Sequence, residues 1–120
     1  MTAKDKVTQG KKGEEQAVRA LESAGLSIIT RNFRSQIGEI DIIALDGETL
    51  VFVEVKAWLA YGMENLSYSI SDKKQRRIIE TAKYFLSINR QYYGRAIRFD
   101  VVFVSENVVT HLASAFMERV

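Results

Sequence analysis

The chain has 120 residues, of which 47% are hydrophobic, and a formal net charge of +2. This length suits one domain, residues 1–120, which can bury roughly two thirds of the surface of the unfolded chain. The absence of cysteine excludes a disulfide framework, a thiolate metal site and a thiol nucleophile. The apolar runs are too short to span a membrane and the polar N-terminus does not resemble a signal peptide, so we expect a cytoplasmic protein without a membrane partner.

The first predicted element is a helix from about Gly13 to Ala24. Apolar residues recur there at helical spacing, and Gly25 follows as a C-terminal stop. Residues 1–12, which precede this helix, are polar and basic. We expect them to form a mobile basic segment.

Three strands are predicted next, at Ile28 to Phe33, Glu39 to Leu45 and Leu50 to Lys56. The dipeptide Asp46-Gly47 lies between the last two and is a strong signal for a tight hairpin. The second and third strands are therefore expected to pair antiparallel.

The second half of the chain predicts one long helix and further strands. After a loop from Trp58 to Ser71, apolar residues recur at helical spacing for about four turns, with Asp72 as the N-cap. Three more elements follow: a strand at Ile97 to Val104, a short strand at Val108 to Leu112 and a helical turn at Ser114 to Arg119. The predicted fold class is α/β, a mixed central β-sheet of four to five strands flanked by helices.

Two charges interrupt the apolar run VFVEVK at positions 51–56. Glu54 and Lys56 stand on the same face of the predicted third strand. Burying either charge alone costs several kcal/mol, so each needs a compensating partner.

The predicted hairpin brings further carboxylates to that face. A two-residue turn at Asp46-Gly47 places Asp41 diagonally beside Glu54, within about 7 Å, and Glu39 opposite Glu54. Three carboxylates repel one another, and a divalent cation with oxygen ligands is the least costly resolution. Magnesium fits this set, whereas zinc is disfavoured because cysteine is absent and His111 is distant in sequence.

A lysine beside such a cluster can act in three ways. Lys56 can compensate the charge of the carboxylates, position an attacking water or stabilise negative charge on a phosphate in the transition state. The sequence therefore favours metal-assisted phosphodiester hydrolysis. A satisfied salt-bridge cluster of Asp41, Glu54 and Lys56 is the alternative, and we disfavour it because buried ion pairs add little stability.

Basic residues are clustered although the net charge is small. They precede the first predicted helix or open the later one, and their members include Lys11, Lys12, Lys73, Lys74, Arg76 and Arg77. Such clusters indicate a polyanionic partner whose negative groups they would bind. Solvated helix faces are the alternative.

Four segments of the sequence form a recognisable set. They are GxxGEEQA at Gly10 to Ala17, RNFRSQIGEIDIIALDGETLVFVEVK at Arg31 to Lys56, SDKKQRRI at Ser71 to Ile78, and RFDVV at Arg98 to Val102. Together they resemble the YraN family of small bacterial proteins, assigned to the restriction-endonuclease-like PD-(D/E)XK superfamily. The resemblance implies a restriction-endonuclease-like fold and a Mg²⁺- or Mn²⁺-dependent endonuclease that acts on DNA, including branched or repair intermediates.

The resemblance also implies roles for individual residues. Asp41 and Glu54 would be the metal-binding acids, and Lys56 would be the lysine of the second strand motif. Glu14, on the first helix, would help to hold the metal. Gln75 corresponds to a helical Gln or Lys that many members of the superfamily place near the active site.

Several of these residues have structural alternatives. Glu14 is also a favourable anion in the first turn of a helix, and Gln75 can complete a capping box with Asp72. Asp100 is expected to orient a neighbouring group or to face solvent. His111 is expected to be structural or exposed.

Two rivals to the nuclease stay open. One is a non-catalytic nucleic-acid-binding module, and the other is an interaction subunit that keeps the nuclease fold. Ala57 and Trp58 stand where the family usually has a Thr-Arg pair, which removes one phosphate contact. The sequence also leaves open whether the protein acts as a homodimer or with a protein partner.

Overall fold

A computed structural model of the chain describes residues 3–57, 70–106 and 108–118, and residues 3–12 by their backbone alone. Its elements are α1 Ala3–Ser23, β1 Ser27–Arg34, β2 Glu39–Asp46, β3 Thr49–Ala57, α2 Asp72–Ile88, a 3-10 turn Arg90–Tyr92, β4 Ile97–Val104 and β5 Val109–Phe116. The α/β class is confirmed. No helix in the described ranges is both long and apolar enough to cross a membrane.

The five strands form one mixed sheet in the order β1-β2-β3-β4-β5. Strands β1, β2 and β3 pair antiparallel, β3 and β4 pair parallel, and β4 and β5 pair antiparallel. A parallel pair needs a crossover between its strands, and α2 lies in that connection.

The alternation of side chains along the strands divides the core into two layers. On one face, Val51 and Val53 of β3 pack with Ala17 and Leu21 of α1. On the other face, even-numbered residues of β3 pack against α2, in a cluster that includes Leu50, Phe52, Ile78, Ile79, Ala82 and Phe85. Burying each large side chain stabilises the fold by roughly 1.5–3 kcal/mol. Because successive residues of a strand point to opposite faces, the even position of Glu54 places it on the α2 side.

The register of the β2–β3 hairpin differs from the predicted one but keeps its parity. Asp46 pairs with Thr49, so the loop is Gly47-Glu48 and lies one residue later than predicted. Gly47 has φ of +59°, a conformation that glycine adopts without steric cost, so the glycine opens the loop. Continuing the observed register brings Asp41 directly opposite Glu54 rather than diagonal to it.

Helix α1 starts earlier than predicted, and helix α2 has a different N-cap residue. Helix α1 begins at Ala3, so most of the segment expected to be mobile has a helical backbone. The N-cap of α2 is Ser71 rather than Asp72, because the Ser71 hydroxyl accepts a hydrogen bond from the Lys74 N–H at 3.1 Å. This cap fixes the first turn of α2.

The end of the chain also departs from the prediction. Strand β5 continues to Phe116, so the helical turn predicted from Ser114 is wrong. The Phe116 ring stacks on Phe99 of β4 with centroids 5.1 Å apart, which favours an extended strand. Of the predicted loop from Trp58 to Ser71, only the last two residues lie within the described part of the chain.

Candidate active site

Asp41 of β2 and Glu54 of β3 lie together on the face of the sheet that α2 covers. Backbone pairing of the two strands reaches Ile42 and Val53. Beyond that pair, the Val55 N–H donates a hydrogen bond of 2.8 Å to Oδ2 of Asp41. The Asp41 carboxylate is thus fixed against β3, beside Glu54, which is only 7% exposed. The hairpin parity predicts this meeting of the two carboxylates.

The electrostatics of this pair disfavour two negative charges. Burial, followed by the charge of Glu54, raises the pKa of Asp41 to about 7, and the charge of Glu39 adds to the rise. The hydrogen bond from Val55 and the charge of Lys74 lower it by less. A cation bound to both carboxylates would remove the repulsion and favour ionised Asp41.

The ammonium group that pairs with Glu54 belongs to Lys74 of α2. Its Nζ lies 2.7 Å from Oε1 of Glu54. The Glu54 side chain is 8% exposed and the Lys74 side chain 47% exposed. Partial burial acts against the charge of Lys74, but the hydrogen bond to Glu54 and the neighbouring carboxylates raise the pKa of Lys74 overall. Lys74 therefore supplies the charge compensation that the sequence assigns to Lys56 as one of its options.

Lys56 lies on the same face as Glu54, one position further along that face, and is partly exposed. Its register partner on β4 is Phe103. Within the described ranges, no hydrogen bond or ion pair involves the Lys56 side chain.

Glu14 does not join the Asp41–Glu54 pair. Its Oε1 accepts hydrogen bonds from Nε of Arg31 and Nδ2 of Asn32, each at 3.0 Å. Because α1 extends back to Ala3, Glu14 is far from the first turn of the helix. The alternative role of Glu14 as a favourable anion in that first turn is therefore wrong. Among the described residues, no group of three or more acidic, histidine or cysteine side chains is close enough to hold a metal ion.

Gln75 fixes the entry into α2. Its Nε2 donates a hydrogen bond of 2.9 Å to the carbonyl oxygen of Ile70. With Ser71 as the N-cap, the predicted capping box of Gln75 with Asp72 is wrong. The side chain thus stabilises the turn before the helix, and its catalytic role stays a prediction.

A cleft of about 370 Å³ opens between the β1–β2 hairpin and the start of α2. Its lining residues are Arg34, Ser35, Gly38, Glu39, Lys74, Arg77 and Ile78. Three of these are cations, and the single acid among them, Glu39, pairs with Nε of Arg34 at 3.2 Å. The cleft therefore carries excess positive charge, and Lys74 joins it to the Asp41–Glu54 pair.

Gly38 allows the hairpin to approach α2 closely enough to form this cleft. A Cβ at Gly38 would lie 2.8 Å from Cγ of Arg77 and 3.1 Å from Oγ1 of Thr81. Both distances are shorter than ordinary van der Waals contacts, so a larger residue would displace the hairpin or the Arg77 side chain.

The predicted basic cluster at the start of α2 is divided between surfaces. Lys74 and Arg77 line the cleft. Lys73 is exposed, and Arg76 lines a separate depression whose lining also includes Asp72, Glu80 and Glu118. The side chains of Lys11 and Lys12 lie outside the described part of the structure.

The sequence assigns Lys74 to the phosphate contacts, whereas its ammonium pairs with Glu54. The signal lies in the apolar stripe of α2, where Ile78, Ala82 and Phe85 recur at helical spacing and are buried. Stepping four residues back from Ile78 reaches Lys74, which must therefore face the sheet one turn before the stripe.

Asp100 belongs to a separate, buried network. Arg98 donates to both of its carboxylate oxygens at 2.9 and 3.0 Å, and Nε2 of His111 lies 2.7 Å from Oδ2. The Ser114 N–H donates to Oδ1 at 3.0 Å. Although burial acts in the opposite direction, the bonds from His111, Arg98 and Ser114 lower the pKa of Asp100. Asp100 therefore orients its neighbours across β4 and β5, and the alternative that it faces solvent is wrong.

Comparison with known proteins gives a consistent result across the chain. The family model described as "Uncharacterised protein family UPF0102" matches residues 13–104. A UPF0102 protein of Persephonella marina is 44% identical over 108 residues, which cover 90% of this chain and 92% of that protein. A UPF0102 protein of Treponema denticola is 42% identical, with 89% and 93% covered.

A more distant relative gives the same picture. The UPF0102 protein of Thermodesulfovibrio yellowstonii is 35% identical over 111 residues, which cover 92% of this chain and 97% of that protein. The range matched by the family model includes Asp41, Glu54, Lys56 and the cleft between β1, β2 and α2. The chain therefore belongs to UPF0102, the YraN family that its sequence motifs resemble.

Proposed function

We propose that the protein is a metal-dependent endonuclease that hydrolyses phosphodiester bonds in DNA. The observation that carries this proposal is the placement of Asp41 beside Glu54, whose ion-pair partner Lys74 lines a cleft with two further cations. Carboxylates attract a divalent cation, and cationic side chains attract phosphates. The carboxylate pair therefore suits the metal, and the basic cleft suits the phosphates of the DNA.

The two carboxylates fit magnesium or manganese. Mg²⁺ is commonly bound through one or two carboxylates and completes its octahedron with waters and substrate phosphates, so a third protein ligand is not required. Mn²⁺ takes the same oxygen ligands. Burial and the charge of Glu54 raise the pKa of Asp41, and a divalent cation on both carboxylates would favour its ionised form.

Each residue of the site has a defined task in this proposal. Asp41 and Glu54 would hold the cation, which when bound would polarise the phosphate and acidify a water. Lys56, whose ammonium has no ion-pair partner among the described residues, would stabilise the charge that develops on the phosphate. Arg34 and Arg77 would bind neighbouring phosphates.

These contacts favour DNA without strong sequence preference. Phosphate contacts fix the position of a protein on DNA but carry no sequence information directly. The cleft offers mainly charged side chains to its ligand, and the sequence contains no helix or finger motif for reading base edges. Branched, single-stranded and duplex DNA are therefore the substrates to compare.

A non-catalytic nucleic-acid-binding module is the second candidate. The observation that favours it is the ion pair of Glu54 with Lys74, which neutralises one of the two acids without a metal. In that case the basic cleft would bind DNA and the strand motif would be structural.

Incubation with DNA separates the two candidates. The parent protein, Asp41→Asn and Glu48→Gln are each mixed with branched, single-stranded and duplex DNA in Mg²⁺, Mn²⁺ or chelator. Glu48 is the matched control, because it lies in the same hairpin and its side chain is 95% exposed. The nuclease predicts metal-dependent products from the parent and Glu48→Gln alone, whereas binding without products in any condition would favour the second candidate.

A further inference from the structure

The side chain of Lys74 contacts both the buried Glu54 carboxylate and the basic cleft. Its Nζ lies 2.7 Å from Oε1 of Glu54, and the same side chain lines the basic cleft with Arg34 and Arg77. The pair is unequal in exposure, since about half of the Lys74 side chain is exposed and Glu54 is buried. The lysine can therefore leave the pair for solvent, whereas the glutamate cannot.

The ionised carboxylate of Glu54 is buried and is stabilised by a positive charge beside it. A buried carboxylate that loses its partner keeps an uncompensated charge in a medium of low polarity. The ammonium of Lys74 supplies that charge in the present structure. A divalent cation on Asp41 and Glu54 would supply it instead and would repel the ammonium, because two cations would then share one carboxylate.

The helix need not move for such an exchange. The hydroxyl of Ser71 caps the first turn of α2 at the Lys74 N–H, and Ile78, one turn later, is buried in the core. Rotation of the long lysine side chain is sufficient to move its ammonium from Glu54 into the cleft.

We propose that Lys74 is a transfer lysine, which neutralises Glu54 until a divalent cation binds and then contacts a DNA phosphate in the adjoining cleft. This inference rests on the proposed function, since it takes Asp41 and Glu54 as the cation site. Metal binding frees the lysine for the phosphate, and phosphate binding removes a competitor of the metal. Each ligand therefore raises the affinity for the other.

Calorimetric titration with Mn²⁺ in the absence of DNA tests the first half of the exchange. Lys74→Gln should bind Mn²⁺ roughly tenfold more tightly than the parent, because no ammonium competes for Glu54. Lys73→Gln is the matched control, since it removes the same charge from the neighbouring exposed position and should bind as the parent does. Lys74→Arg keeps the pair with Glu54, should fold regardless, and should bind Mn²⁺ more weakly.

The salt dependence of DNA binding tests the second half. Ca²⁺ serves as the cation, and gels verify that the DNA stays intact. For the parent, saturating Ca²⁺ should steepen the slope of log affinity against log salt by about 0.9 more than it does for Lys74→Gln, the contribution of one phosphate contact. Without a cation, the slopes of the two proteins should agree.

The outcomes distinguish this inference from the function on which it rests. If the parent binds Mn²⁺, but Lys74→Gln and Lys74→Arg bind it with the parent's affinity, the transfer role is overturned and the metal site stands. If the salt slopes of parent and Lys74→Gln respond equally to Ca²⁺, the phosphate contact of Lys74 is likewise overturned. If the parent itself binds no cation, both the inference and the metal-dependent function fail.

Discussion

A hydrogen bond from the Val55 N–H holds the Asp41 carboxylate beside Glu54. The ionised form of Asp41 is disfavoured at this position. Burial and the charge of Glu54 raise its pKa from 3.8 to about 7. Between these two pH values the folded, metal-free protein holds a proton on Asp41 that the unfolded chain has released. The proton therefore stabilises the fold fully at low pH, and this stabilisation is lost as the pH rises through 7.

Asp41→Asn should remove this pH dependence. In chelator, the free energy of unfolding of the parent should fall relative to that of Asp41→Asn as the pH rises from about 4 to 7, with a slope of up to about 1.4 kcal/mol per pH unit. Near neutral pH the variant should then be the more stable protein. Urea unfolding at several pH values measures the difference, and parallel pH profiles for the two proteins would refute the raised pKa of Asp41.

Lys56 offers a contrasting test, because its side chain forms no ion pair among the described residues. Lys56→Met keeps the apolar stem and removes the ammonium group. We expect the metal-free stability to change by less than about 0.5 kcal/mol and Mn²⁺ affinity to be retained, while DNA cleavage is lost. Urea unfolding, calorimetry and a cleavage assay follow the three quantities, and a variant that cleaves DNA at the parent's rate would remove Lys56 from the proposed site.

Among the secondary-structure elements, the β2–β3 hairpin shows what the sequence can predict. The side-chain period of two places odd residues of β2 and even residues of β3 on one face, so the meeting of Asp41 and Glu54 follows from parity. The predicted register is wrong, because the dipeptide Asp46-Gly47 indicates a turn but does not fix which residue is the first of the loop. Gly47 opens the loop, and Asp46 pairs with Thr49.

The helices show where prediction from sequence stops. The helical period predicts the apolar stripe of α2, but the contact of Lys74 with Glu54 also depends on how that helix packs on the sheet. For Glu14, the motif implied a metal ligand, whereas Arg31 and Asn32 of β1 bind its carboxylate. Such long-range hydrogen bonds depend on tertiary packing that local periodicity does not specify.

Two glycine substitutions test how the elements pack. Gly38→Ala should destabilise the protein by roughly 1–3 kcal/mol, because the new Cβ would lie too close to the Arg77 and Thr81 side chains of α2. Gly13→Ala is the matched control, since its Cβ would meet Val104 at 3.7 Å, an ordinary contact. Within helix α1 this change should stabilise by roughly 0.5–1 kcal/mol. Urea unfolding measures both, and a Gly38→Ala protein as stable as the parent would contradict the described approach of hairpin and helix.

The charge of the molecule is distributed unevenly, although its net value is only +2. Arg34, Lys74 and Arg77 converge on one cleft from β1 and α2, and the fold thereby produces a basic surface next to an acidic pair. The sequence predicted the basic cluster of α2. Arg34 is not among the predicted DNA contacts, because its place in the cleft beside α2 depends on tertiary packing.

This distribution predicts which charges control DNA binding. Arg77→Gln should weaken binding to all DNA sequences alike and reduce the slope of log affinity against log salt by about 0.9. Arg90→Gln removes the same charge from an exposed position beyond the end of α2 and should leave the slope unchanged. Fluorescence anisotropy at several salt concentrations measures both. Equal slopes for the two variants would show that overall charge, rather than the cleft, attracts the DNA.

The most direct test of the site as a whole is calorimetric titration of the DNA-free protein with Mn²⁺. If Asp41 and Glu54 hold the cation, the parent should bind it, and Asp41→Asn and Glu54→Gln should each lose that binding while circular dichroism verifies that both remain folded. If both variants instead bind Mn²⁺ with the parent's affinity, the two carboxylates are not the metal site and the proposed mechanism is contradicted.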